Sequence, residues 1–257
     1  MTSPSVTAIH SRDNAFVKDL RRLAQDSTQY RKQGRVWIEG DHLCRAALAR
    51  GQSVSIAVFS ESLWPLAPVE WSQEASKMIV LSDALFADIS GLESPARMGF
   101  VIELPAVTAL QPDAATVVLD RVQDAGNVGS ILRSASAFGF QQVVALKGSA
   151  ALWSPKVLRA GMGAHFALDL IEAASLEDLQ PLRVPMLVTH VHEGDFLHRA
   201  ELPWPCAWVL GHEGQGVSAA LEVRATRRIR IAQPGGEESL NVAAAAAICL
   251  HASASAR

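Results

Sequence analysis

Three short stretches of this 257-residue chain carry residue types suited to holding an anion or an organic ligand. The first runs from Leu119 to Gly139 and sets Asn127, Gly129 and Arg133 just after an apolar run that ends at Asp120. On a helix Arg133 lies one turn beyond Gly129, so its guanidinium projects over a position without a side chain and leaves room for a bulky anionic partner. The alternative is a surface arginine paired with Asp120 or Asp124. The density of Gly126, Gly129, Ser130, Ser134 and Ser136 favours backbone that something approaches closely. The second stretch, Gly211-His-Glu-Gly-Gln-Gly216, offers glycine backbone at unusual dihedrals and the carboxylate of Glu213, either a loop stabiliser or a reactant. The third, Ser239-Leu-Asn241, precedes an alanine run from Ala243 to Ala247. Ser239 or Asn241 is suited to cap that helix, whose first N–H groups would face an anion.

Several chemistries are excluded by what these stretches lack. The glycine spacing of 211–216 is wrong for a dinucleotide fingerprint and no Gly-Lys-Ser/Thr loop exists, so a nucleoside triphosphate is not the expected ligand. Cys44, Cys206 and Cys249 are scattered, without histidines at ligand spacing; no metal site is expected, and a reducing cytoplasm fits. No secretion pattern opens the chain, and no apolar run approaches the roughly 20 residues of a membrane helix, so a soluble, cytoplasmic protein is predicted.

The elements that must position these residues alternate between strand and helix. Phe16, Val17, Leu20 and Leu23 at helical spacing predict an amphipathic first helix, followed by strands at 35–39, 54–59, 78–81 and 99–104 with a helix at 41–50 and another through Leu85 and Ile89. Pro105 and Gln111-Pro-Asp113 mark a break. The expectation is a small α/β domain at 1–105, a linker at 106–113 and a larger α/β domain at 114–257. In the second domain, near-continuous apolar strands at 116–120, 142–146, 166–171, 186–190 and 207–210, separated by helices such as one starting at Asn127, predict a parallel sheet covered on both faces. Ligands of such sheets sit beyond the carboxyl ends of the strands, so the loops after Asp120, His190 and Leu210 should converge on one crevice.

The formal charge of −3 argues mildly against general affinity for nucleic acid. That average hides nine Lys/Arg against five Asp/Glu in residues 1–50 and two against eight in residues 51–113. The basic face of the first helix is therefore either solvated or turned toward a polyanion.

Taken together and in order, the three stretches resemble the signature segments of the SpoU family of RNA ribose 2′-O-methyltransferases, within the SPOUT superfamily. The resemblance covers roughly 113–257 and includes Ser154-Pro-Lys-Val-Leu-Arg-Ala-Gly-Met-Gly-Ala-His-Phe166; residues 10–105 resemble, more loosely, the family's small substrate-binding domain. It implies a parallel-sheet α/β catalytic domain with a C-terminal trefoil knot, an exception to the rule against knots, and S-adenosyl-L-methionine as cofactor. It also implies a homodimer. Carried over by position, Asn127, Arg133, Glu213, Ser239 and Asn241 take catalytic roles, and Thr189, Leu210, Gly211, Ile231 and Leu240 hold the cofactor. RNA is the implied substrate, ribosomal RNA favoured over transfer RNA because of the separate first domain. Arg12, Lys18, Arg21, Arg22, Arg31, Lys32 and Arg35 are its candidate phosphate contacts. His212 stands where the family often has Asn or Ala and is read as peripheral or ligand-adjacent. The competing readings are an inactive RNA-binding protein of the same fold and an unrelated parallel-sheet enzyme acting on a small nucleotide.

Overall fold

Two units organise the chain: Met1–Ala106 with Trp153–Phe166, and Val107–Leu152 with Ala167–Arg257. The structure, a computed structural model, describes residues 6–68, 71, 75–90, 94–235 and 239–256.

In the first unit, β1 (Val6–Ile9), β2 (Arg35–Glu39), β3 (Val54–Ser60), β4 (Ala75–Leu81) and β5 (Met98–Glu103) form a sheet in the order β1-β4-β3-β5-β2. β1, β4 and β3 run parallel, and β5 is antiparallel to both β3 and β2. At Gly99 a Cβ would stand 2.3 Å from the Trp37 ring, so glycine lets the indole lie across β5. Helix α1 (Ala15–Gln25) starts where Asn14 accepts the Phe16 N–H at 2.9 Å, and it buries Val17, Leu20 and Leu23. Helices α2 (Gln29–Gln33) and α3 (Asp41–Ala49) follow, and α4 (Asp83–Ile89) packs on α1. β1 escapes a sequence reading because it is an edge strand with three of four residues exposed.

The stretch Trp153–Phe166 joins this unit, although its sequence neighbours belong to the other. Ser154 and Pro155 start helix α6 (Pro155–Gly161) by capping and by a preset φ. Gly163, at φ +90°, lies so close to α3 that a Cβ would stand 2.5 Å from the Ala46 methyl.

The second unit is built on β6 (Thr116–Asp120), β7 (Gln142–Leu146), β8 (Asp169–Ala174), β9 (Met186–Thr189), β10 (Asp195–Phe196), β11 (Ala207–Gly211) and β12 (Arg227–Arg230). Their order is β10-β12-β9-β11-β6-β7-β8, and every pair is parallel. Every residue of β6, β7 and β11 is buried, as a sheet covered on both faces requires. Helix α5 (Ala125–Ala137) begins two residues before the expected Asn127, because Asp124 caps it by accepting the Asn127 N–H at 2.7 Å. β8 begins at Asp169, later than expected, because Ala164–Ala167 winds into a 3₁₀ turn after Gly163. Strand β12, Arg-Arg-Ile-Arg, was not predicted because it buries one residue, Ile229. Helix α7 (Ala219–Arg224) covers β9, and α8 (Val242–Ser255), containing the alanine run, packs on α5 and β11.

A buried polar contact fixes α8 to the sheet. The Trp208 indole N–H donates to Ser253 Oγ at 2.8 Å, with both side chains fully buried. A buried donor without its acceptor costs about 1–3 kcal/mol. Ser253→Ala should therefore lower the unfolding free energy by about that amount in a urea titration; an unchanged midpoint would mean that the indole needs no partner there.

Candidate active site

The chain turns sharply after β6, and the turn is held by charge. Asp120, almost fully buried, accepts the Ser218 N–H at 2.6 Å and the Arg121 Nε–H at 3.1 Å. Arg121 sits at φ +60°, a left-handed conformation that is unfavourable for a side-chain-bearing residue. Its guanidinium offsets that by bonding Asp120 and, at 2.8 Å, Gln215 Oε1. The loop after β6 is thus fastened to the loop after β11.

A second set of bonds gathers all three stretches. Glu213 accepts the Asp124 N–H at 3.1 Å, the Gln123 N–H at 3.3 Å and the Asn127 Nδ2–H at 3.2 Å. Asn127 Oδ1 in turn accepts the Asn241 Nδ2–H at 2.9 Å. Asn241 caps α8, its Oδ1 accepting from Ala243 at 2.9 Å and Ala244 at 3.2 Å. Asn127 can do this because its amide carries both donor and acceptor. The loop bearing Glu213 is closed by paired backbone bonds between His212 and Gly216, at 3.0 and 2.8 Å. Glycine is required at Gly211, where a Cβ would meet the Gly216 backbone at 2.2 Å.

Beside this meeting point lies a cavity of about 740 Å³. Its walls are the ends of β9 and β11, the 212–217 loop, Ile229, Ile231 and Gln233, and the 239–245 segment. Thr189, Gly211, Glu213, Ile231, Ser239, Leu240 and Asn241 all line it. Asn127 and Arg133 are not on its wall. Leu210 is fully buried, behind the wall. Arg133 is exposed on α5, and no described residue pairs with it. The aspartates that could have taken it are engaged elsewhere, Asp120 with Arg121 and Ser218, Asp124 as the cap of α5.

With this geometry in place, comparison with known proteins is decisive. The profile of the SpoU rRNA methylase family matches residues 114–251, and that of an MRM3-like substrate binding domain matches residues 14–98. The chain belongs to the SpoU rRNA methylase family. A 23S rRNA (guanosine(2553)-2′-O)-methyltransferase of Bacillus subtilis is 30% identical, the match covering 95% of this chain and 97% of the relative. An RNA methyltransferase of the TrmH family from Porphyromonas gingivalis is 31% identical with a TM-score of 0.82, covering 93% of this chain and 97% of that one. An rRNA methyltransferase from Sinorhizobium meliloti, solved with AdoMet bound, is 25% identical with a TM-score of 0.84, covering 96% and 97%.

In this SpoU chain the basic residues of the first unit are largely spoken for. Arg12 and Arg21 share Asp88, Lys18 pairs with Asp13 at 2.9 Å and Arg22 with Asp19 at 3.2 Å. Arg31 stacks over Tyr30, Arg35 donates to Gln33, and Lys32 is exposed. The cationic face read from sequence is partly neutralised by its own carboxylates. Sequence reasoning missed Arg121, Gln215 and Gln233, which carry no local signal. Asp124 did carry one, an Asp immediately before a helix.

Burial by itself pushes the Glu213 carboxyl up, but its bonds from backbone N–H groups and Asn127 outweigh that and hold it below the usual carboxylate range. A depressed folded value means that the latch is complete above the ordinary pKa of about 4.3 and is lost as pH falls through the depressed one. Glu213→Gln should raise hydrogen–deuterium exchange at the Gln123 and Asp124 amides severalfold, in keeping with ~1 kcal/mol for a partly exposed hydrogen bond. Unchanged exchange would show that the carboxylate does not hold the loop.

Proposed function

We propose that this chain transfers the methyl group of S-adenosyl-L-methionine to a ribose 2′-hydroxyl of ribosomal RNA. The observation that carries this reading is the bonded meeting of Asn127, Glu213 and Asn241 at the edge of one cavity, in a chain of the SpoU rRNA methylase family. The B. subtilis relative, a 2′-O-methyltransferase of 23S rRNA, supports the substrate, and the AdoMet-bound S. meliloti structure supports the cofactor. The residues present fit such a cofactor. At about 740 Å³ the cavity is within the range of small-molecule sites. Val191, Val217, Ile231 and Leu240 offer apolar surface for a purine, while Gln233 Oε1, buried and without a hydrogen-bond partner among the described residues, offers an acceptor.

Thr189, Gly211, Ile231 and Leu240 would hold the cofactor directly, with Leu210 backing them. Bound there, it supplies an electrophilic methyl group. The protein mainly orients. Arg133 grips a neighbouring RNA phosphate with two N–H donors and stabilises the negative charge that grows on the 2′-oxygen as its proton leaves; the oxygen would take the methyl carbon as that carbon's bond to the sulfonium sulfur breaks, leaving a neutral thioether. A guanidinium, with a pKa above about 12, is a poor base, so the proton passes to that phosphate or to water. Asn127, Glu213, Ser239 and Asn241 order the loops around the reacting groups. That Arg133 has no carboxylate partner among the described residues supports its availability for phosphate.

Residues 1–105 serve as the RNA substrate-binding domain, 106–113 as linker and 114–257 as the catalytic domain, apart from Trp153–Phe166, which belongs to the first unit. The MRM3-like profile over 14–98 supports the first assignment. The strand order, with β12 outside β9 and α8 returning to pack on α5 and β11, is consistent with trefoil threading. A second copy of the chain covers an apolar groove of about 610 Å³ formed by Phe138, Leu197, Ile248 and Ala252, giving a homodimer. Three free, buried cysteines and no described helix long and apolar enough to cross a membrane are consistent with a cytoplasmic enzyme.

Mapping of alkali-resistant ribose linkages in cellular RNA, with and without the protein, should reveal one protected site in ribosomal RNA; protection in transfer RNA alone would move the substrate, and none at all would leave an RNA-binding protein. Arg133→Ala should slow single-turnover methylation roughly 10²- to 10³-fold while leaving cofactor affinity intact, and Arg133→Lys should not restore it. A drop in RNA affinity with an unchanged single-turnover rate would remove the catalytic role. Ile248→Glu should convert dimer to monomer in sedimentation velocity; a monomeric parent protein would refute the dimer.

A further inference from the structure

His190 and His212 share an arrangement that the mechanism above leaves unused. Each is the first residue beyond a strand of the parallel sheet, β9 and β11 respectively, and both line the same cavity. In each, the ring folds back so that Nδ1 accepts two backbone N–H groups. His190 Nδ1 takes those of His192 at 3.1 Å and Glu193 at 2.9 Å. His212 Nδ1 takes those of Gly214 at 3.0 Å and Gln215 at 3.2 Å. A ring nitrogen that accepts carries no hydrogen, so each neutral imidazole bears its proton on Nε2. The loops therefore select the tautomer. From there the two differ. His190 Nε2 faces Glu222 Oε1 at 3.7 Å, a carboxylate also approached by Arg228 at 3.9 Å. His212 Nε2 has no partner among the described residues, and His212 lines the cavity.

We propose that His212 does two jobs: its Nδ1 caps the Gly211–Gly216 turn, and its Nε2–H donates a hydrogen bond to an oxygen of the cofactor bound in the cavity. The proposal rests on the cofactor assignment made under Proposed function and adds a positioning and binding residue to it. The cap holds Glu213, the next residue, where it meets Gln123, Asp124 and Asn127. The donor gives the cavity a neutral N–H, which can bind an oxygen without adding positive charge beside a sulfonium. Two groups of that ligand have oxygens of the required chemistry, its carboxylate and its ribose hydroxyls.

The two jobs separate by substitution. Asn keeps an acceptor on Cγ at the position of Nδ1, so it can cap the turn, but it lacks a donor at the reach of Nε2; Ala lacks both. Calorimetry with S-adenosylhomocysteine and with 5′-methylthioadenosine, which has no carboxylate, should be run on the full chain, on His212→Asn and on His212→Ala. The expected result is about tenfold weaker S-adenosylhomocysteine binding in His212→Asn, the scale of one hydrogen bond, and a larger loss with a lower melting temperature in His212→Ala. A loss confined to S-adenosylhomocysteine assigns the carboxylate, and an equal loss with both ligands assigns a ribose hydroxyl. Long-range ¹H–¹⁵N spectra should show His212 as the Nε2–H tautomer, with Nε2 shifting when ligand is added. Wild-type affinity in His212→Asn, or an Nδ1–H tautomer, overturns the proposal. Absence of S-adenosylhomocysteine binding by the wild-type chain overturns the cofactor assignment itself, and this proposal with it.

Discussion

One side-chain amide joins the three stretches that define this site. Asn127 donates to Glu213 and accepts from Asn241, so the helix after β6, the loop after β11 and the start of α8 are held by two bonds through a single group. Neither an aspartate nor a hydrophobic residue of similar size could satisfy both neighbours, because one needs a donor and the other an acceptor. The arrangement is exposed, so each bond contributes little alone. Its effect is geometric: Asn241 also starts α8, and hence the hub fixes where that helix begins.

What makes so light a hub sufficient is the rigidity beneath it. β6 and β11 are adjacent, parallel and buried along their whole lengths, so their carboxyl ends emerge side by side. Asp120 and Arg121 then turn the chain, and Ser218 returns to the same carboxylate. α8 is tied at its far end by Trp208 and Ser253. Loops anchored at both ends can present glycine backbone to a ligand without collapsing onto it, which is how open parallel sheets commonly build crevices.

Much of this was legible from residue order alone. Apolar runs such as Thr116–Asp120 and Ala207–Gly211 announce buried parallel strands because both faces are covered and no polar alternation interrupts them. The first stretch stood out through the glycines and serines around Asn127 and Arg133, the second through its glycines and Glu213, and the third through capping residues ahead of an alanine run. The departures have physical causes. β12 hides behind three arginines, β1 is an exposed edge, and Asp124 captured the helix start from Asn127 by reaching its backbone N–H. Nor could sequence spacing have said that Trp153–Phe166 joins the first unit or that Arg12, Lys18, Arg21 and Arg22 each face a carboxylate of their own unit. Such pairings depend on which helices pack together, and local pattern does not encode that.

The hub can be tested without reference to the reaction it serves. A double-mutant cycle with Asn127→Ala and Asn241→Ala, read as the dissociation constant of S-adenosylhomocysteine, isolates the coupling between the two side chains. Each single change should weaken binding, and the pair together should cost clearly less than the sum, a coupling of about 0.5–1 kcal/mol for an exposed pair. Strict additivity, or wild-type affinity in the double variant, would contradict it.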